Sequence, residues 1–377
     1  MKGSGDKSVQ GTAAGLEDLL TLNMVEGLGV TLLSRLLERF DSPEAILAAS
    51  RRELEEVEGV GSALSRNISK ARKQIDARAQ MKSAEKFAVK IITAASDDYP
   101  KPLRRIFDPP LVLYVKGEYK EEDALAMAIV GSRRASYYGK NQAERLAGSL
   151  AKMGFTIVSG MAWGIDSAAH RGALAAGGRT IAVLGSGLAN PYPKGNEKLL
   201  AEIVENGAAI TEFPLNFPPR PENFPRRNRL ISGLCLGVVV VEAAERSGSL
   251  ITARWAMEQG REVFAVPGPI DSTTSRGTHR LIKDGAKLVE RVEDVIEELG
   301  PLAEVLTPVP QEEKPGARGL KPEEEKILEV LSPSEPKSIE DIIAETGLTA
   351  QAASSVLMVL ELRKLVKQLA GKRFVKA

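Results

Sequence analysis

Three arginines stand in FPRRNRLISGL, Phe224 to Leu234, directly ahead of the most apolar run in the chain, LCLGVVVVEA. Charge beside a core is costly unless it is paired or hydrated. No acidic run neighbours these cations in sequence, so they call for an anion. Four further segments are built of small residues: GSR (Gly131 to Arg133), SGMAWGID (Ser159 to Asp166), GSG (Gly185 to Gly187) and SGSLITA (Ser247 to Ala253). Glycines let backbone amides approach a phosphate, serines add hydroxyl donors, and a following helix N-terminus adds partial positive charge. Any one such loop is weak, and GSG alone often just makes a turn. Together with Arg133, Arg226, Arg227 and Arg229 they describe an anion site. Phe224, directly before RRNR, either offers a flat surface for a base beside cations for its phosphate or packs under the loop as core. Asn228 either reads base edges or caps a helix beginning near Arg226.

Other chemistries are poorly supplied. GSGLANP lacks the third glycine of a dinucleotide fingerprint, and GxxxxGK[ST] is absent, so neither common phosphate-cofactor signature is present. Asp166 and His170 lie four apart and would share a helix face. Without a GxSxG serine, however, they read as a pair holding loop geometry and not as a hydrolase dyad. Two histidines and one cysteine give no ligand set at zinc spacing. We expect no catalytic residue, no metal and no cofactor.

These loops need a scaffold that brings them together. From Ala124 to about Leu299, apolar runs (AMAIVG, FTIVSG, RTIAVLG, AAITEF, LGVVVVEA, EVFAVPG) alternate with helical patterns. Such alternation means βαβ units, here an α/β, extended Rossmann-like doubly wound parallel sheet whose strands end on one edge. VKIITAASDDYP and PPLVLYVKG read as two further strands edging it. Residues 16–84 are helical, and VEGLG and VEGVG repeat within them as a tandem helix-hairpin-helix (SAM-like) domain. Residues 85–300 form the sheet domain, and 301–320, rich in Pro and polar residues, a linker. Residues 321–377 pattern as three helices and a hairpin, a winged helix, and residues 1–15 as a flexible N-terminus.

A chain of 377 residues, 43% hydrophobic, supports several cores. Its net charge of +1 means that a polyanion site must arise from local clustering. Cys235 has no disulfide partner and sits in an apolar run, and no apolar run reaches bilayer length. A soluble cytoplasmic protein with no membrane partner is expected.

GSRRASYYG, SGMAWGIDSAAHRGAL, AVLGSGL, YP, FPRRNRLISGL, RSGSLITA, VPG and GTHRLIKDGA occur in one order, and on these the chain resembles the DNA-processing protein A (DprA/Smf) family of natural transformation. The resemblance spans about residues 90–290. It implies a non-catalytic protein that binds and protects incoming single-stranded DNA and helps load the RecA recombinase. Carried over, the DNA site would use Gly131, Ser132, Arg133, Ser159, Gly160, Phe224, Arg227, Asn228, Arg229, Ser247, Gly248, Ser249 and Thr252. A homodimer is implied near the last helix of the sheet domain, with Leu281 and Ile282 as candidate anchors; burial within one subunit explains them nearly as well. Met161 stands where the family usually has glycine, Trp163 where a smaller residue is commoner, and His279 where asparagine is expected. Two other functions compete. One is a nucleotide phosphoribohydrolase-like enzyme on a related sheet, whose PGGxGTxxE signature is here VPGPIDS without the glutamate. The other is a regulator acting through the winged helix. There Arg363, Lys364, Lys367, Lys372, Arg373 and Lys376 suit a phosphate backbone, while the acidic first helices suit a protein partner. In the helix-hairpin-helix region the amides after Gly27, Gly29, Gly59 and Gly61 either grip duplex phosphates, or the region is a structural helical pair or a partner-docking module.

Overall fold

The computed structural model describes residues 13–306, 321–332, 336–362, 365–369 and 373–376. The chain divides into two compact units, residues 1–307 and 308–377.

The first unit opens with six helices: α1 (Ala13–Asn23), α2 (Val30–Phe40), α3 (Pro43–Ala48), α4 (Arg51–Glu55), α5 (Ser62–Gln74) and α6 (Ala77–Lys86). Helix thus begins at Ala13, inside the segment expected to be flexible; residues 1–12 lie outside the described residues. The VEGLG/VEGVG repeat folds twice in the same way. Gly27 and Gly59 both take φ near +90° (87° and 93°), a conformation open mainly to glycine, and Gly29 and Gly61 cap α2 and α5. The two halves also clasp reciprocally. The Arg35 guanidinium donates to Glu58 O and the Asn67 amide to Glu26 O, each at 3.1 Å. Between them Leu22, Val25, Leu36, Val57, Ile68 and their neighbours form a separate core. Ser42 caps α3, and Ser50 with Glu53 closes a capping box on α4.

The sheet follows. Its strands are β1 (Val89–Thr93), β2 (Val112–Gly117), β3 (Ala126–Val130), β4 (Thr156–Ser159), β5 (Thr180–Val183), β6 (Gly207–Thr211), β7 (Gly237–Val240), β8 (Glu262–Ala265) and β9 (Lys287–Leu288). Their order is β1-β2-β6-β5-β4-β3-β7-β8-β9. β1, β2 and β6 pair antiparallel, and every pair from β6 to β9 is parallel. The intervening helices are α7 (Tyr137–Lys152), α8 (Ile165–Ala175), α9 (Glu197–Asn206), α10 (Asn223–Gly233), α11 (Gly248–Glu258), α12 (Arg276–Lys283) and α13 (Val292–Leu306). Alternate residues of each central strand serve opposite faces. Ala128, Val130, Val238 and Val240 pack with Leu230 of α10, Leu234 just after it, and Ala253 of α11. Met127, Ile129, Val239 and Val241 pack with Leu146 and Leu150 of α7 and Leu299 of α13. Burial on both faces is what strands as uniformly apolar as GVVV require.

Two expectations are corrected here. Leu281 is buried in the core under α12, leaving only half-buried Ile282 beside it as a surface anchor. Helix α13 runs to Leu306, six residues into the expected linker, because Val292, Val295 and Leu299 continue an apolar face onto the sheet. Among the described residues no single helix is long and apolar enough to cross a membrane.

The second unit contains α14 (Pro322–Val330), β10 (Lys337–Ser338), α15 (Ile339–Thr346), α16 (Ala350–Leu362), β11 (Val366–Leu369) and β12 (Arg373–Lys376), with strand order β10-β12-β11. It is a winged helix around Ile327, Ile342, Leu357, Leu360 and Phe374. Gly347, at φ +70°, ends α15 in the left-handed conformation. Arg363, Lys364 and Lys372 of the basic set lie outside the described residues.

Candidate nucleic-acid interface

The chain runs outward from β3 through β4 and β5 to β6, then crosses back and lays β7 on the other side of β3. Strand order therefore reverses between β3 and β7, and ligands of open α/β sheets bind at such a reversal, beyond the strands' carboxyl ends. A cavity of about 550 Å³ lies there. Gly131, Ser132 and Arg133 leave β3 into it. Ser247, Gly248, Ser249 and Thr252 reach it from the start of α11, and Phe224, Arg227 and Asn228 from α10. The Asn228 amide donates to Gly248 O at 3.2 Å, tying the two helices together. Helix α10 begins at Asn223, not near Arg226, so Asn228 lies mid-helix and caps nothing.

Glu242, at the end of β7, holds the first loop. Its backbone carbonyl accepts from Ser132 N at 2.7 Å, and its buried carboxylate accepts from Ser136 N at 2.9 Å and from the Ser136 hydroxyl. Ser136 in turn caps α7.

Three expected site residues lie differently. Gly160 is at the edge, in a small side cavity, with its carbonyl turned toward Arg227. Ser159 is fully buried and donates to Ile129 O at 2.7 Å, so it fixes the strand end and does not face the cavity. Arg229 points away altogether. Its guanidinium grips both Glu212 oxygens at 2.9 Å and Asp108 at 2.7 Å, and Glu212 also takes Arg226 at 3.0 Å. Burial opposes the Arg229 charge, yet Glu212 and Asp108 outweigh it and hold its pKa above the arginine range. Two of the three arginines are thus answered by acids from distant segments, not by a missing anion.

Arg227 answers the rest. It is buried at the cavity wall, where it donates to Gly160 O at 2.8 Å and to Val183 O. Burial, helped by Arg133 and opposed by Asp166, brings its pKa down to about 10, so it stays charged at neutral pH. The Asp166 carboxylate accepts from Ala162 N at 3.2 Å, and burial raises its pKa against the pull of Arg227. His170 does not pair with Asp166. Its Nδ1 meets the Thr180 hydroxyl at 2.7 Å, and that hydroxyl donates to Ile157 O. Burial, then Arg227 and Arg171, lower its pKa to about 3, so the ring stays neutral inside the core.

Phe224 is half-buried, with Arg133 5.2 Å and Arg227 5.8 Å from its ring centroid. The ring lies so close to Gly185 that a Cβ there would come within 2.8 Å of it. Arg133, Arg134 and Arg246 also line the cavity, are exposed, and form no ion pair among the described residues. Asp166, already bonded to Ala162 N, is the one carboxylate in the lining among the described residues. The site is therefore a cationic cleft with one aromatic platform.

The chain matches the family described as DNA recombination-mediator protein A over residues 90–300, more than half its length. This protein belongs to that family. Residues 311–372 match the DprA winged helix domain and 17–74 the SAM-like helix-hairpin-helix tandem. Protein Smf of Escherichia coli is 51% identical over 210 residues, 55% of this chain and 56% of that protein. The structure of DNA processing protein A from Streptococcus pneumoniae superposes with TM-score 0.66 at 36% identity, covering 75% of this chain and 97% of that one. The Helicobacter pylori protein, described for its single-stranded DNA binding mode, gives 0.51 at 33%, covering 56% and 96%.

Met161 carries a backbone strain with a measurable cost. Met161 has φ +65°, the left-handed region where a glycine would be unstrained. Its side chain is nevertheless buried against Leu20, Leu184 and Leu188. Left-handed strain costs about 1–2 kcal/mol, whereas deleting a buried methionine side chain costs about 2–5 kcal/mol. Met161→Gly is therefore expected to lower stability by about 1–3 kcal/mol, read from urea midpoints; a more stable glycine variant would show that strain wins. Arg134, Arg246 and Glu242 escaped the sequence reading. Arg134 follows GSR and Arg246 precedes SGSLITA, so extending each glycine motif by one residue would have found both cations.

Proposed function

We propose that this protein is a single-strand DNA binder and recombination mediator: it holds DNA in the β3/β7 cleft, shields it, and presents it to the RecA recombinase without covalent chemistry. The observation that carries this is the trio Arg133, Arg134 and Arg246, which form no ion pair among the described residues and line one cavity with Phe224 at the strand-order reversal. Phosphates meet the guanidiniums and the amides at the start of α11, while a base lies on the ring. The family membership and the Helicobacter pylori relative's described binding mode support the same reading. A base-releasing hydrolase would need a free carboxylate, and Asp166, the lining's one carboxylate, is buried beside Arg227 with an oxygen already on Ala162 N. In this reading two copies pair near half-buried Ile282, beside which Ile270 and Leu288 are exposed at the β9 edge of the sheet.

Anisotropy with labelled oligothymidylate tests the cleft. Affinity should fall steeply with salt, and Arg133→Ala should weaken it about tenfold while reducing the log–log salt slope by about 0.7, one single-strand phosphate contact. An unchanged slope together with unchanged affinity removes the cleft from the mechanism.

A further inference from the structure

We propose that Trp163 and Tyr192 form a second base-stacking subsite, carrying the strand out of the cleft past Phe224. This rests on the single-strand reading above and adds where the neighbouring nucleotide goes. Trp163 is 47% exposed and Tyr192 45% exposed. Both line, with Phe224 and Arg133, a side cavity of about 30 Å³ that adjoins the main one. The Tyr192 ring centroid stands 5.7 Å from that of Phe224, tilted by 54°. The three rings thus border one hollow and leave part of their surface open.

Large exposed aromatics are often mobile, but Trp163 is carried on a pinned loop. Asn196 donates to Met161 O at 2.9 Å, Asp166 takes Ala162 N, the Ser167 hydroxyl donates to Ala162 O at 2.7 Å, and Ile165 N donates to Ser132 O. The indole itself rests on bare backbone: a Cβ on Gly195 would lie 2.3 Å from it. An aromatic held this way loses little entropy when a base covers it. The hollow is also positive. Arg133 lines it, Lys194 lies in the chain between Tyr192 and Gly195, exposed and in no ion pair among the described residues, and no acid is in its lining. Flat π-faces flanked by cations, continuous with a cationic cleft, suit a nucleobase whose phosphates reach Arg133 and Lys194.

The full chain carries two tryptophans, so a Trp255→Phe background isolates Trp163 emission. Saturating oligothymidylate of about ten nucleotides should quench it. In anisotropy with the native Trp255, Trp163→Ala should bind that strand about tenfold more weakly, the loss being confined to strands longer than a trinucleotide, and Trp163→Phe should recover most of it. Unmoved emission, or Trp163→Ala binding the long strand like the parent, overturns the subsite. Phe224→Ala separates the two ideas. If it weakens binding while Trp163→Ala does not, only the subsite fails; if neither weakens it, no base stacks on either ring, and the single-strand reading itself is then decided by the Arg133→Ala salt slope.

Discussion

Arg229→Ala should lower the unfolding free energy by about 3–5 kcal/mol, the usual cost of leaving a buried carboxylate without its partner. The magnitude follows from geometry. Arg229 is almost wholly buried, holds both oxygens of an equally buried Glu212, and reaches Asp108 on a loop before β2. Removing it leaves Glu212 with only Arg226, whose side chain is 42% exposed. Urea unfolding measures the loss. DNA affinity per folded molecule should stay near that of the parent, because the guanidinium faces away from the cleft. Full stability with lost binding would return Arg229 to the DNA site that the sequence pattern assigned to it.

Phe224→Ala should do the reverse, weakening oligothymidylate binding by about 10–100-fold, within the range of about 1–3 kcal/mol for one stacked base. The ring is half-exposed, so the fold loses little apolar burial, on the order of 1 kcal/mol. What goes is a platform pressed onto Gly185 with two guanidiniums beside it. Phe224→Trp should retain most of the affinity, since every base has a face to stack and stacking tolerates a change of ring. Equal affinity in Phe224→Ala and the parent, measured by anisotropy at fixed salt, would show that no base lies on this ring.

Local periodicity and turn chemistry were legible along the chain. Apolar runs alternating with helical patterns gave the doubly wound sheet. The VEGLG/VEGVG repeat gave paired hairpins, and small residues after strands gave the loops that meet at the β3/β7 reversal. These features depend on near neighbours, and a parallel sheet must place all its strand ends on one edge. That is why Gly131, Arg133, Phe224, Asn228 and Ser249 line one cavity although they span more than a hundred residues.

Pairings between distant segments could not be read this way. Nothing near RRNR announces Asp108 or Glu212, so three arginines looked alike; in the fold one faces solvent and an acid, one walls the cleft, and one is locked inside. His170 likewise sits four residues from Asp166 yet bonds Thr180, because α8 turns that face onto β5. Periodicity identifies which residues share a face of an element. Which charge is neutralised across the core, and which remains open to a ligand, depends on the distances that packing sets between elements far apart in the chain.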